Sequence, residues 1–333
     1  MKEELRQVLC VGIPGEGLTP GFHYFFKEYQ PGNFILFRRN TGEGPRALKE
    51  LTRGLRDLTR KTYMPEPFIC VDQEGGRVAR LMQPHWPRLP SFEDIGKGPH
   101  PEEIITEIGE RCGQMLRDMG INVNLAPCLD LMEEGADPVM RQRTLSHDPT
   151  QVAELGARYI EAMARYGVGA VAKHFPGIGG IDKDPHLDFS LSRCPMNRQH
   201  EALQPFKRAV RTGVLGIMTS HVLFPMYDPE NIATFSKGII SMLRDEVGLG
   251  SRIVFTDDLF MGAIQRHYGL GDAGALALKA GHDVLLYCHG LDETASAIES
   301  LIRYAESDDK LRECVNKSYQ RIIDQKKKFW EKP

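Results

Sequence analysis

Short apolar runs of strand length recur along the chain, spaced so that a helix fits between most neighbours. They are Val8-Leu-Cys-Val-Gly12, Phe34-Ile-Leu-Phe37, Phe68-Ile-Cys-Val71, Val123-Asn-Leu-Ala126, Val168-Gly-Ala-Val-Ala172, Val214-Leu-Gly-Ile-Met218, Ile253-Val-Phe255 and Val284-Leu-Leu-Tyr287. Each is nearly all apolar rather than alternating, the pattern of a strand buried on both faces. Between the third and fourth runs, Ile104, Ile105, Ile108, Cys112, Met115, Leu116 and Met119 fall on one face at helical spacing. Asp148-Pro149 supplies a cap and a first-turn proline for a helix ending near Gly167, and Leu291 to Trp330 reads as two helices. Eight such strands alternating with helices predict an α/β fold, a (β/α)8 TIM-type barrel, with a doubly wound open sheet as the rival. Gly12-Ile-Pro-Gly15 is a poor substitute for the Gly-x-Gly-x-x-Gly of a dinucleotide fold. No biased linker, repeat or low-complexity segment interrupts the chain, so residues 1–333 are expected to form a single domain.

In a barrel of this kind, chemistry collects where the strands end. Polar residues are dense there: Arg38-Arg39-Asn40, Asp72-Gln73-Glu74-Gly75-Gly76-Arg77, Asp130, Lys173-His174, Thr219-Ser220-His221, Asp257-Asp258 and His289. After Lys173-His174 come Pro176, Gly177, Gly179 and Gly180, then Asp184-Pro185-His186. That density of glycine and proline predicts a loop, one that brings a carboxylate and an imidazole toward whatever the strand ends hold.

Composition narrows the function. The 333 residues are 41% hydrophobic and 26% charged with a net charge of −3, which is ordinary for a globular protein. The basic block Lys326-Lys327-Lys328 reads as a solvated helix end, so no nucleic-acid partner is expected. Seven cysteines form no Cys-x-x-Cys, and Cys10, Cys70 and Cys288 lie in apolar runs as small buried hydrophobes, which fits a reducing compartment. No stretch of 18 apolar residues suggests a membrane span, and the N-terminal apolar run is too short for a signal sequence; the expected location is cytoplasmic. Composition fixes no oligomeric state. Metal-ligand spacings such as His-Glu-x-x-His and phosphate-binding loops are missing, so no metal or organic cofactor is expected. The remaining set of carboxylates, Arg, Lys and His suits a hydroxyl-rich ligand and attack at an acetal. Asp257 is a candidate nucleophile at an anomeric carbon, and His186 a candidate donor to the departing oxygen.

These blocks resemble family 3 glycoside hydrolases of the single-domain β-N-acetylglucosaminidase type, which recycle peptidoglycan. The resemblance is carried by Phe34-Ile-Leu-Phe-Arg-Arg-Asn40, Val71-Asp-Gln-Glu-Gly-Gly-Arg-Val78 with Arg80, Ala126-Pro-Cys-Leu-Asp130, Arg143-Thr-Leu-Ser146, Lys173-His-Phe-Pro-Gly177, Asp184-Pro-His186, Met218-Thr-Ser-His221, Thr256-Asp-Asp-Leu259 and Ala280-Gly-His-Asp283. It implies that Asp257 is the nucleophile of a retaining mechanism with a glycosyl-aspartate intermediate. It further implies that His186 is the general acid/base with Asp184 as its partner, and that Asp72, Arg80, Arg143, Lys173 and His174 bind the sugar. Glu74, Asp130, His221 and Asp258 are expected to support these groups. The implied substrate is a terminal non-reducing N-acetylglucosamine on a muropeptide fragment.

The chain departs from that family in one place. The usual Pro-Gly-His-Gly-Asp-Thr is Pro176-Gly-Ile-Gly-Gly-Ile181, and the usual Asp-Ser-His is Asp184-Pro185-His186. Proline fixes φ and removes a donor, so altered closure of this loop is expected. Three alternatives therefore stand beside the hydrolase: another β-glycoside specificity within the family, a phosphorylase, and a catalytically impaired sugar-binding barrel.

Overall fold

A computed structural model describes residues 2–133, 138–181, 183–185 and 187–330. Eight parallel strands close a barrel: β1 (Leu9–Gly12), β2 (Asn33–Leu36), β3 (Phe68–Val71), β4 (Val123–Asn124), β5 (Gly169–Phe175), β7 (Gly216–Thr219), β9 (Ile253–Asp258) and β10 (Val284–Tyr287). Each of the eight apolar runs contributes a strand, in the order β1-β10-β9-β7-β5-β4-β3-β2, so the barrel prevails over the open sheet. The circle is completed where β1 pairs with β10, Leu9 opposite Leu285 and Val11 opposite Tyr287. Two further strands, β6 (Ser190–Leu191) and β8 (Val222–Leu223), pair with each other in the loops beyond β5 and β7. At two residues each, they have no pattern long enough to read from sequence.

Helices wrap the barrel because each buries one stripe. Pro101–Asp118 turns Ile105, Ile108, Cys112 and Leu116 inward, and Pro149–Ala164 begins where the Asp148 side chain accepts from the Thr150 amide. These two helices touch at Gly109, where a Cβ would stand 2.7 Å from that of Ala162, closer than methyl groups pack. The strand beginnings are tied by buried amides. Asn33 donates to the Gln7 and Leu9 carbonyls and accepts from the Phe68 amide, while Asn122 accepts from the Ile69 amide and donates to Pro67.

Strand alternation then sets up the interior. Phe68, Cys70 and Asp72 share one side of β3, as Phe255 and Asp257 share one side of β9. The Phe68 and Phe255 rings meet inside the barrel with centroids 6.3 Å apart, and Gly216 leaves room for Phe255, since a Cβ there would lie 2.8 Å from the ring. Four residues beyond Phe68 and two beyond Phe255, apolar filling gives way to Asp72 and Asp257.

The opposite end corrects one expectation. Lys326 is not a solvated helix end: it is 4% exposed, with Nζ donating to Gln7 Oε1 at 2.9 Å and the Gly32 carbonyl at 3.3 Å, and lying 4.8 Å from the Phe68 ring centre. The final helix, Asp309–Trp330, thus seals the amino-terminal end of the barrel, while Lys327 and Lys328 are exposed as expected. Basic residues in a row read alike in sequence, although a helix points consecutive side chains about 100° apart.

Candidate active site

Seven of the eight strands, or the residues just after them, contribute to a cavity of about 490 Å³ at the carboxyl-terminal mouth. Its floor holds Ile35, Asp72, Leu125, Lys173, Met218, Asp257 and Leu286. Such a pocket accommodates a small ligand.

Lys173 is at the centre of the charged floor. Its Nζ lies 2.7 Å from Asp72 Oδ1 and 2.8 Å from Glu74 Oε1, with the lysine and Glu74 almost wholly buried. Glu74 accepts from Arg143 through both oxygens, at 3.0 Å from Nε and 2.9 Å from Nη2. Asp72 turns its other oxygen to Arg80, 3.2 Å away. Burial alone would raise both carboxyl pKa values, but the adjacent cations win: Lys173 and Arg80 hold Asp72 well below the usual carboxylate range, and Arg143 and Lys173 bring Glu74 to about 2. Burial disfavours the Lys173 charge in turn, and Asp72 and Glu74 outweigh it, so its pKa is raised. The result is a fixed array of ionised groups.

His174 extends that array, and its neighbours settle its tautomer. Arg143 Nη2 lies 3.1 Å from His174 Nε2, and a guanidinium can only donate, so Nε2 accepts. Nδ1 therefore carries the proton and donates to Asp130 Oδ2 at 2.7 Å. Asp130 is wholly buried and also accepts from Cys128 Sγ (3.1 Å), the His174 amide (3.2 Å) and the Ile178 amide (2.7 Å). Burial opposes its ionisation, yet the His174 ring and the Ile178 amide hold its carboxyl below the ordinary value. Cys128, Asp130 and His174 lie close enough together to suggest metal ligands, but the separations between neighbouring ligand atoms are hydrogen-bond lengths. Zinc bonds of about 2.0–2.3 Å in a tetrahedron would spread such atoms farther apart.

Backbone and amide contacts fix the walls. Gln73 Oε1 accepts from the amides of Arg80 and Leu81 at 2.8 and 3.0 Å, pinning the loop after β3. Arg39 donates to the carbonyls of Ile13 and Cys288 at 2.7 and 2.6 Å and lies over the Phe37 ring. Gly12 makes this possible, because a Cβ there would stand 2.3 Å from the Cys288 oxygen. On the β9 side, Asp257 Oδ1 accepts from the Asp258 amide at 2.8 Å. Asp258 accepts from the amides of Phe260 and Cys288 and lies 3.1 Å from His289 Nδ1. His221 bridges Thr234 Oγ1 and the Asp258 carbonyl, supporting the turn after β9.

Asp72, Arg80, Arg143, Lys173 and His174, all expected at a sugar site, line this one cavity together with Asp257. Asp184 is half-buried on the loop and is not among the cavity-lining residues; its carbonyl accepts from the Leu187 amide. His186 lies outside the described residues. Glu74 and Asp130 emerge as the anchors that fix the cations and the imidazole. Sequence marks them as polar residues after a strand, and the family resemblance implies a supporting role without naming their partners. Cys128, the sulfur donor to Asp130, carries no such signal, because it stands in an apolar setting.

The departures in the loop after β5 are structural. Ile178 and Ile181 are 3% and 4% exposed, and a Cβ on Gly180 would lie 2.1 Å from Cys194 Sγ. Gly179 passes so near the Leu131 carbonyl that a Cβ would stand 1.9 Å from its oxygen. The Pro185 carbonyl accepts from the Ala263 amide at 3.3 Å, joining this loop to the segment after β9. Apolar burial therefore anchors the loop where the family has polar side chains.

Residues 5–324 match the profile described as the glycosyl hydrolase family 3 N terminal domain. A β-hexosaminidase of Nitrosomonas eutropha is 33% identical over 299 residues, covering 88% of this chain and 84% of that protein. A β-hexosaminidase of Pseudomonas aeruginosa is 31% identical over 300 residues, covering 89% of this chain and 86% of its own length. Among solved structures, a glycoside hydrolase family 3 β-N-acetylglucosaminidase from Paenibacillus sp. superposes with a TM-score of 0.90 at 30% identity. That match covers 99% of this chain but only 62% of the Paenibacillus chain, less than two thirds of its length.

Proposed function

Because the chain belongs to glycosyl hydrolase family 3 and is a glycoside hydrolase, we propose that it is a retaining exo-β-N-acetylglucosaminidase, a β-N-acetylhexosaminidase removing terminal non-reducing N-acetylglucosamine from peptidoglycan fragments. The observation that carries this reading is the sharing of one cavity by Asp257 and the Asp72–Lys173–Glu74–Arg143–His174 array. In the proposed reaction Asp257 attacks the anomeric carbon as the glycosidic oxygen leaves, and water later cleaves the glycosyl-aspartate with net retention. His186, partnered by Asp184, gives the proton to the leaving oxygen and takes it back from the water. The array holds the ring hydroxyls. Its charges are already paired and fixed, so little reorganisation accompanies binding. Arg80 supports the same reading, since its Nε is buried and has no partner among the described residues. These steps need no metal or organic cofactor. A cytoplasmic location is part of the proposal; among the described residues no helix is long and apolar enough to cross a membrane.

The test is release of nitrophenol from 4-nitrophenyl β-N-acetylglucosaminide. Asp257→Ala is expected to abolish it, and equal rates in variant and parent would end the nucleophile assignment. A 5-fluoro glycosyl fluoride analogue is expected to leave a covalent mass increment on the peptide containing Asp257. Free sugar as product at every phosphate concentration supports hydrolysis, while sugar 1-phosphate would establish a phosphorylase. Ligand binding without turnover would establish the binding-barrel alternative.

A further inference from the structure

The charges around the cavity are unevenly matched. Arg80, Arg143 and Lys173 are paired with Asp72 and Glu74, whereas three more guanidiniums line the same cavity with no carboxylate at ion-pair distance among the described residues. Arg39 is committed to two carbonyls. Arg77 spends one nitrogen on the Pro138 carbonyl at 2.8 Å, and the Arg38 side chain has no hydrogen bond among the described residues. Both are exposed at the mouth, after the adjacent strands β2 and β3. Asp257 and Asp258 line the same cavity, but among the described residues neither lies at ion-pair distance from Arg38 or Arg77, and a neutral sugar alone does not explain two exposed guanidiniums at the rim.

Arg77 also belongs to a second cavity, of about 390 Å³, lined by Met82, Gln83, Arg88, Leu89 and Gln142. The loop after β3 forms the partition: Val78 and Arg80 face the first cavity, Ala79 and Leu81 the second, and Arg77 lines both. Arg38 and Arg77 thus both stand at the mouth of the first cavity, and Arg77 also borders a hollow that carries a further arginine and two amides.

We infer that Arg38 and Arg77 form an anion-reading subsite for the leaving-group side of the substrate, taking a carboxylate or phosphate group attached beyond the scissile bond. This rests on the hydrolase reading for where the leaving group lies and goes beyond it in naming the residues and charge that select that group. Guanidiniums suit the role because they present paired donors to either oxyanion. Since both are exposed, the gain in affinity is modest and falls with salt.

The experiment compares three S-aryl thio-β-N-acetylglucosaminides, which resist cleavage and differ only in a para carboxylate, phosphonate or carboxamide. Calorimetric Kd values are expected to favour the two anions over the amide by roughly tenfold at low salt, with that ratio shrinking as KCl is raised. Arg38→Ala and Arg77→Gln are each expected to reduce the ratio, and Arg38→Glu to invert it. The tighter of the two anions identifies the source, carboxylate or phosphate. Equal Kd values for anion and amide in the parent protein, no binding of any of the three, or a ratio unchanged in both single variants would overturn the subsite. Nitrophenol release is measured separately: its absence would end the hydrolase reading, while the Kd ratio still decides the charge preference.

Discussion

Glu74→Gln removes the acceptor on which the charged floor converges. Both Glu74 oxygens receive Arg143, and Oε1 also receives Lys173, with Glu74 2% exposed. A glutamine keeps the shape, but offers one acceptor and turns an amide donor toward a donor. Two estimates of the cost agree. Lowering the Glu74 pKa from its ordinary 4.5 to about 2 corresponds to about 3 kcal/mol of differential stabilisation of the ionised form in the fold. Breaking a buried pair by removing one partner costs about 3–5 kcal/mol. At roughly 2 °C per kcal/mol for a chain somewhat longer than those surveyed, Tm is expected to fall by about 6–10 °C. The pH dependence separates this from generic damage. Glu74 has a depressed folded pKa, so its contribution is complete above pH 4.5 and lost as pH falls toward about 2; the parent–variant gap in urea-unfolding free energy should close over that window. With Lys173 and Arg143 displaced, kcat/KM is expected to drop about 100-fold, the usual effect of an ångström-scale misplacement. A variant within 1 kcal/mol of the parent at neutral pH, or a gap that persists unchanged at the acid end, would refute the assignment of Glu74 as the anchor.

Three further outcomes are expected. Burial depresses the Lys326 pKa to about 7, so between pH 7 and the ordinary 10.5 the unfolded chain binds more protons than the fold. Stability should therefore rise with pH there, by up to about 1.4 kcal/mol per pH unit, and Lys326→Met should flatten the rise in denaturant titrations. Both Asp130 oxygens accept, so Asp130→Asn must face a donor with a donor; about 1–3 kcal/mol of stability and at least tenfold in kcat/KM should be lost, read by unfolding and nitrophenol release. Gly179→Ala would press a methyl group against the Leu131 carbonyl, and should lower kcat and speed proteolysis in the loop after β5.

How much of this was legible in the sequence follows from what each residue does locally. Strands buried on both faces appear as unbroken apolar runs, and all eight were visible. Asp72 and Asp257 were visible because a carboxylate after such a run interrupts it. A supporting role for Glu74 was legible but its partners were not, since Arg143 and Lys173 lie 69 and 99 positions away in a chain that meets only in the barrel. The His174 tautomer depends on an arginine from another loop, and the peptide joining Lys173 to His174 is cis, which no propensity scale marks. Ile178, Gly180 and Ile181 looked like missing chemistry because sequence comparison registers lost polar groups more readily than gained burial. Lys326 looked solvated because its two lysine neighbours are.

The same lysine bears on how the molecule is made. A ribosome releases residues in order, and β1 has one edge waiting for β10 while the hollow beneath Phe68 waits for residue 326. Until β10 and the helix Asp309–Trp330 have emerged, the nascent sheet keeps an unpaired apolar margin and an unstoppered end, inviting contact with other chains. Ring closure thus has to wait for β10, and the helix Asp309–Trp330 works as the cork.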